Sequence, residues 1–257
     1  MTTKNIVLLG KQSRSTSILY NSLRTVFPVC KVILEDSEPN LTFLKRRIRR
    51  LGIAKTLGQV AFRTTVMPWL ELTSQKRVRE ILVDFGLDPS PIPHEERIHV
   101  KSANSAECIA ALVKLRPDIV VISGTRILSK KLLSSTSAVF INVHAGITPL
   151  YRGCHGAYWA LVQGDRDGCG VTVHQVDAGV DTGAILGQAR IVPQPDDNFS
   201  TYGILQQAAG LPLLKKAIRD VCEDRIVAVA PPPGTSRMWT HPTLIEYISD
   251  RVRRGVK

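Results

Sequence analysis

Residues 139–153 read VFINVHAGITPLYRG. Val139–Val143 is a short β-branched apolar run, the length of a buried strand and too short for a helix. Successive side chains in a strand alternate between faces, so Asn142 and His144 leave the same side, next to its carboxyl end. Gly146, Pro149 and Gly153 then fall within eight residues, which predicts a tight, constrained loop beside the two polar groups. In an open α/β sheet that edge is where ligands bind.

Working outward, similar runs recur. Strands are predicted at Ile6–Leu9, Val29–Leu34, Ile119–Ser123 and Val171–Val176, with a further extended stretch at Gln188–Val192. Helical periodicity occupies Thr16–Val26, Ala106–Leu115, Ser129–Ser134, Ala157–Gln163 and Ser200–Val221, the last with Ser200 as its N-cap. This alternation predicts an α/β fold, a Rossmann-like, mostly parallel sheet flanked by helices. Residues 40–87 break the rhythm with two charged amphipathic stretches, Leu41–Phe62 and Leu70–Phe85, on either side of Met67-Pro68-Trp69. They are expected to form a helical insertion. Its first half sets Lys45, Arg46, Arg47, Arg49, Arg50 and Lys55 beside apolar positions; a solvated basic face is the plainer reading and peripheral contact with a membrane surface the alternative. Pro231-Pro232-Pro233-Gly234 ends a catalytic domain expected over 1–230 and opens a short C-terminal extension over 231–257.

The 257 residues, 44% of them hydrophobic, supply a sizeable core and argue against disorder. A net charge of +12 favours anionic ligands. Five scattered cysteines without a C-x-x-C pair argue against a disulfide framework and a cysteine zinc site, and point to a reducing, cytoplasmic compartment. The polar start Met1–Asn5 and the short run after it read as neither signal peptide nor membrane span, so neither is expected.

The chemistry rests on pairs of side chains. A histidine near neutrality accepts a proton, and an asparagine amide donates a hydrogen bond to a developing oxyanion, which suits acyl transfer. Taken alone, Asn142-x-His144 is too short to be specific, and capping of the strand explains it as well. A second element, residues 173–186 (VHQVDAGVDTGAIL), adds Asp177 and Asp181 on a glycine-bearing loop after a strand. There a carboxylate orients an imidazole or stabilises its protonated form. His155 and His174, with His144 and Cys154, match no zinc spacing, so no metal is expected.

Asn142-x-His144, the Pro149/Gly153 loop, Gly164-Asp165 and Asp177-x-Gly179-x-Asp181-x-Gly183 together resemble the formyltransferase family that uses 10-formyltetrahydrofolate. The likeness runs from about Pro117 to Val192, weakens over Ile6–Leu34 and is absent over Asn40–Leu87. It implies a catalytic trio of Asn142, His144 and Asp181: an acceptor amine attacks the formyl carbon, Asn142 and protonated His144 hold the oxyanion, and Asp181 supports His144 and helps relay a proton to the departing folate nitrogen. It also implies a folate pocket from Thr125, Arg126, Ile127 and Leu128 after Gly124, facing Val176, Asp177, Ala178, Gly179 and Val180. Ile127 and Leu128 read equally as plain core. Gly146-Ile147-Thr148-Pro149 departs from the Ser-Leu-Leu-Pro of many relatives.

The acceptor is read from the remaining segments. Gly10 stands alone in a turn that is glycine-rich and phosphate-cradling in the purine-pathway relatives. The stretch after Pro233 is expected to be too short for the RNA-binding domain of methionyl-tRNA formyltransferases, so no nucleic-acid partner is expected, and Met1–Thr3 is expected to be too short for the regulatory domain of formyltetrahydrofolate hydrolases. Residues 236–243 (SRMWTHPT) resemble the end of sugar N-formyltransferases, which implies a nucleotide-linked amino sugar of the kind built into lipopolysaccharide O-antigen. Lys11, Ser13, Arg14 and Arg152 are then candidates for its phosphates, with Tyr151 and Trp159 for stacking. The alternatives are a phosphoribosylglycinamide formyltransferase and, from another class, a non-catalytic basic module on nucleic acid or anionic membrane. A monomer and a homodimer are equally compatible with the sequence.

Overall fold

A computed structural model of the chain describes residues 4–257, so Met1–Thr3 and the expectations placed on them lie outside the described residues. Nine strands are described: β1 (Ile6–Lys11), β2 (Val29–Glu35), β3 (Arg97–Val100), β4 (Ile119–Ser123), β5 (Val139–His144), β6 (Arg152–Gly153), β7 (Gly170–Gln175), β8 (Ile185–Arg190) and β9 (Met238–Trp239). Seven form one sheet in the order β3-β2-β1-β4-β5-β7-β8. The first five are mutually parallel, whereas β7 runs antiparallel to both β5 and β8. Strand order reverses between β1 and β4, which opens a crevice at their carboxyl ends, the ligand position of such sheets.

The helices are α1 (Arg14–Arg24), α2 (Asn40–Leu51), α3 (Ile53–Ala61), α4 (Met67–Thr73), α5 (Gln75–Asp84), α6 (Ala106–Leu115), α7 (Lys130–Leu133), α8 (Gly156–Val162), α9 (Phe199–Cys222) and α10 (Leu244–Arg254). Period-two alternation divides the core between the sheet's two faces. Ile6, Leu8, Val32, Leu34 and Val121 bury on the face of α1, α8 and α9, while Val7, Leu9, Ile33, Val120 and Ile122 bury on that of α6 and α7. Each such buried side chain contributes about 1.5–3 kcal/mol, so the central strands are the rigid frame on which the site is built.

Local chemistry corrects some of the sequence reading. The last long helix begins at Phe199 rather than after Ser200, because Asn198 caps it: its side chain accepts from the Ser200 N–H, and Thr201 reciprocates to the Asn198 backbone. The first insertion stretch is two helices, because Gly52 between them has φ +83°, outside the helical region. A strand over 97–100 that the sequence reading lacks covers the sheet's outer edge.

The insertion, α2 to α5, joins β2 to β3 and docks through an aromatic cluster, a buried ion pair and hydrogen bonds of Gln59 and Ser74. Phe62, in a wide helical turn after α3, lies 5.0 Å from both Phe199 and Tyr247, ring centre to ring centre. Arg77 of α5 makes a bidentate contact of 2.9 and 3.2 Å to Asp197, a carboxylate with no exposed side-chain surface. The segment after Pro233 returns to the sheet's carboxyl edge, where β9 pairs with β6. No helix among the described residues is long and apolar enough to cross a membrane.

Candidate active site

Antiparallel register sets Asn142 of β5 directly opposite His174 of β7, and His144 opposite Thr172. Cross-strand partners share a face, so Asn142, His144 and His174 project together. The loop after β7 supplies Asp181. Its backbone is left-handed, with φ +52°, a conformation that aspartate tolerates better than most residues. Gly153 at φ +94° is the counterpart on the other loop, and its N–H donates to Asp181 Oδ2 at 2.9 Å. A Cβ there would strike the Trp239 backbone.

The carboxylate sits between two imidazoles, Oδ2 at 3.4 Å from His144 Nδ1 and Oδ1 at 3.6 Å from His174 Nε2. His144 Nε2 lies 2.7 Å from the Tyr151 carbonyl, an acceptor only, so this nitrogen carries a proton. Both ring nitrogens of His144 therefore face acceptors, and only an imidazolium satisfies both. Burial opposes that charge and lowers the His144 pKa below its ordinary value, against the upward pull of Asp181 and the Tyr151 carbonyl. Burial pushes Asp181 upward, but the hydrogen bond to His174, the charge of His144 and the Gly153 N–H together leave its pKa below the usual carboxylate value.

His174, only 2% exposed, orders the third member of the group. Its Nδ1 donates to the Gln175 carbonyl at 2.6 Å, and its Nε2 stands 3.2 Å from Asn142 Nδ2 and 3.6 Å from Asp181 Oδ1. The Asn142 amide carries two hydrogens and this ring engages at most one, which leaves one for a ligand. The sequence reading considered His174 only as a metal ligand; its signal was register, two strands pairing so that 142 meets 174. Among the described residues no group of three or more His, Cys, Asp or Glu is arranged to hold a metal ion.

Two cavities meet here. The first, of about 610 Å³, has Asn142, His144, His174 and Asp181 at one end, Thr125–Leu128 and Val176–Val180 as walls, and α2 with Met238–Thr240 above. Its size falls in the range of small-molecule sites. Ile127, 60% exposed, presents an apolar side chain to it, while Leu128 also belongs to the core. Arg126 turns its guanidinium to the backbone carbonyls of Asp36 and Lys101, and its N–H is held by the buried Glu35 carboxylate. Its role there is to fix the loop's backbone. Asp177 accepts from the Gly179 N–H and the Thr182 hydroxyl, which shapes the opposite loop. Ala178 is not in the wall.

The second cavity, of about 1250 Å³, is lined by Ser13 and Arg14 at the start of α1, by α4 and α5, and by His155, Tyr158 and His241. Ala145, Gly153 and Cys154 line both cavities. The predicted acceptor residues are thus divided: Lys11 lines the first, Ser13 and Arg14 the second, and Tyr151, Arg152 and Trp159 neither. Tyr151 and Trp159 are buried and stack on Trp239, with the Tyr151 hydroxyl on Asp165 and the Trp159 indole on the Thr240 carbonyl. The expected stacking on a nucleotide base is corrected accordingly: both rings are spent on holding the C-terminal segment. Arg152 donates to the Val180 carbonyl and braces the Asp181 loop.

A family model described as formyl transferase matches residues 75–210, just over half of the chain. Among curated proteins, a methionyl-tRNA formyltransferase of Desulfotalea psychrophila is 43% identical over 96 residues, covering 37% of this chain and 29% of that one. The methionyl-tRNA formyltransferase of Burkholderia vietnamiensis is 31% identical over 158 residues, 61% of this chain and 48% of its own. The chain spans about half or less of the length of the curated relatives it matches. Among solved structures, a 4-N formyltransferase from Francisella tularensis superposes with TM-score 0.54 at 16% identity, covering 93% of this chain and 77% of that one. A phosphoribosylglycinamide formyltransferase from Anaplasma phagocytophilum gives 0.57 at 17%, covering 93% and 97%. At these identities the likeness is one of fold.

Proposed function

Because the chain belongs to the formyl transferase family, whose formyl donor is 10-formyltetrahydrofolate, we propose that it moves a formyl group from that donor to the primary amine of a small acceptor, a nucleotide-linked amino sugar. The observation that carries the reading is the packing of Asn142, His144 and Asp181 into one end of the first cavity, beside Ala145, Gly153 and Cys154, which open onto the second. A two-substrate transfer needs such a junction. Thr125–Leu128 and the loop Val176–Val180 fit a flat, polar-edged ring: backbone amides and carbonyls at the rim, with Ile127 and Val180 as apolar contacts.

The residues then act as follows. Asn142 donates its unoccupied amide hydrogen to the formyl oxygen as charge develops on it, a preorganised contact worth about 2.7–4 kcal/mol. As the amine bonds to the formyl carbon it becomes cationic, and its proton passes to the His144–Asp181 pair. His144, once charged, donates from both nitrogens, to Asp181 and to the Tyr151 carbonyl, which leaves it no donor for the oxyanion and corrects the oxyanion role that the resemblance implied for it. The carbon–nitrogen bond to the folate breaks, and the same proton goes to the departing nitrogen, so the pair ends as it began. The five free cysteines fit a cytoplasmic setting.

The test is incubation with 10-formyltetrahydrofolate and a panel of amines, read by mass spectrometry for the mass of one formyl group. Formylation of an amino-sugar nucleotide supports the reading. Formylation of glycinamide ribonucleotide or methionyl-tRNA alone overturns the acceptor assignment, and no product with any amine overturns formyl transfer itself.

A further inference from the structure

Helix α2 belongs to the insertion that the resemblance does not cover, and its basic face is only partly solvated. Arg46, Arg47 and Arg50 line the first cavity, whereas Lys45 and Arg49 of the same helix do not. Lys11, at the carboxyl end of β1, lines it from below. The charges are unequally matched. Arg46 is paired with Glu38 at 2.8 Å, but Lys11, Arg47 and Arg50 have no carboxylate within 4 Å among the described residues. The carboxylates on the cavity wall are otherwise engaged, Asp181 by Gly153 and the two imidazoles, Asp177 by Gly179 and Thr182.

Three cations gathered without counter-ions repel one another, and the fold pays to hold them. Burial lowers the pKa of Arg47, and Arg63, Arg46 and Arg50 lower it further. Its guanidinium is nevertheless fixed, with Nε donating to Gln59 Oε1 at 2.6 Å and the guanidinium carbon 5.1 Å from the centre of the Phe43 ring. Gln59 in turn donates to the His241 carbonyl at 2.5 Å, which ties the roof to the C-terminal segment. The fields of Arg47, Arg50 and Lys11 all act on the Cys154 thiol, where the two cavities join. A fixed guanidinium with two further cations on the wall of one cavity, none of them matched by a carboxylate, is an arrangement that binds a multiply charged oxyanion.

We infer that Lys11, Arg47 and Arg50 form a phosphoryl subsite that takes the diphosphate of the acceptor and sets its amine beside His144. A single carboxylate would neutralise one of the three charges; a diphosphate matches two or three, and the guanidinium fork suits its oxygens. The inference rests on the formyl-transfer reading and adds two arginines of the insertion to Lys11 of the Gly10 turn as phosphate contacts.

Calorimetric titration with inorganic pyrophosphate tests it, with 5-formyltetrahydrofolate as a stable folate probe in the monoglutamate and triglutamate forms. Arg50 is exposed and makes no hydrogen bond, so Arg50→Gln leaves the fold intact. Pyrophosphate binding is expected to weaken about tenfold in Arg50→Gln and in Lys11→Gln, the loss of one charge-assisted contact, with Arg49→Gln and folate affinity unchanged. Loss of equal size in Arg49→Gln means nonspecific attraction and overturns the subsite. Weakened triglutamate binding with pyrophosphate unaffected also overturns it, and gives the cations to the donor's acidic tail. Absence of pyrophosphate binding in a protein that binds folate refutes the subsite alone; absence of folate binding refutes the formyl-transfer reading.

Discussion

Two histidine clusters flank Cys154, one on each cavity, and they are built to opposite ends. His144 and His174 share the carboxylate of Asp181. His155 and His241 face each other at 2.9 Å, His155 Nε2 to His241 Nδ1, with Phe199 against His155 and no acidic partner within 4 Å among the described residues. Burial lowers the pKa in both clusters. In the second, each further charge adds to the effect: His241 and Arg47 push His155 well down, and burial, Arg47 and Arg63 bring His241 to about 4. In the first, Asp181 and the Tyr151 carbonyl oppose it. The difference teaches that burial silences an imidazole and that a positioned carboxylate opposes the silencing. The first cluster is the one proposed to carry a proton, and the second is a neutral strut joining β6 to the C-terminal segment.

The largest effect that breaks this comparison is on turnover. His144→Ala is expected to lower the formyl-transfer rate by 10²–10⁴-fold with an unchanged circular dichroism spectrum; near-wild-type turnover would remove His144 from the chemistry. Asp181→Asn keeps a side chain that tolerates the left-handed backbone but removes the charge, and should slow turnover by about 10²-fold. His241→Gln should leave turnover within a few-fold and change stability instead. Because His155 and His241 are depressed in the fold, the unfolded chain takes up protons first as pH falls below about 6.5. Stability is undiminished by these groups above that pH and falls as pH drops toward 4, by about 3 kcal/mol from His241 alone. Thermal melts should therefore fall less steeply between pH 7 and 5 in His241→Gln than in the wild type, and parallel curves would contradict the strut. The smallest effect is expected from Asp177→Ala, which loses hydrogen bonds within its loop of about 1 kcal/mol, roughly fivefold in KM for the folate with kcat unchanged.

How much of this was legible in the sequence follows from the range of the signals. Period-two alternation places Asn142 and His144 on one face from two residues' spacing, and the runs at 6–9, 119–123 and 139–143 are buried strands as their composition predicts. Arg97–Val100 carries two polar residues in four and is held as a strand by β2, so its own composition is silent. The direction of β7 is likewise set by its partners. The helical period of α2 is plain in the sequence, but an amphipathic pattern does not say what lies under either face, so the arginines over the cavity were indistinguishable from a solvated stripe. Tyr151 and Trp159 are aromatic residues near a site, and only packing shows that Trp239, some eighty positions away, takes their faces.

The account's central claim is that Asp181 makes the buried His144 able to carry the proton of the transfer. The pH dependence of kcat/KM for formyl transfer, measured on the wild type and on Asp181→Asn, tests it most directly. With the carboxylate gone the imidazolium loses its support, so the limb reporting His144 should move to lower pH in the variant. Superimposable profiles, or a limb displaced to higher pH, would contradict it.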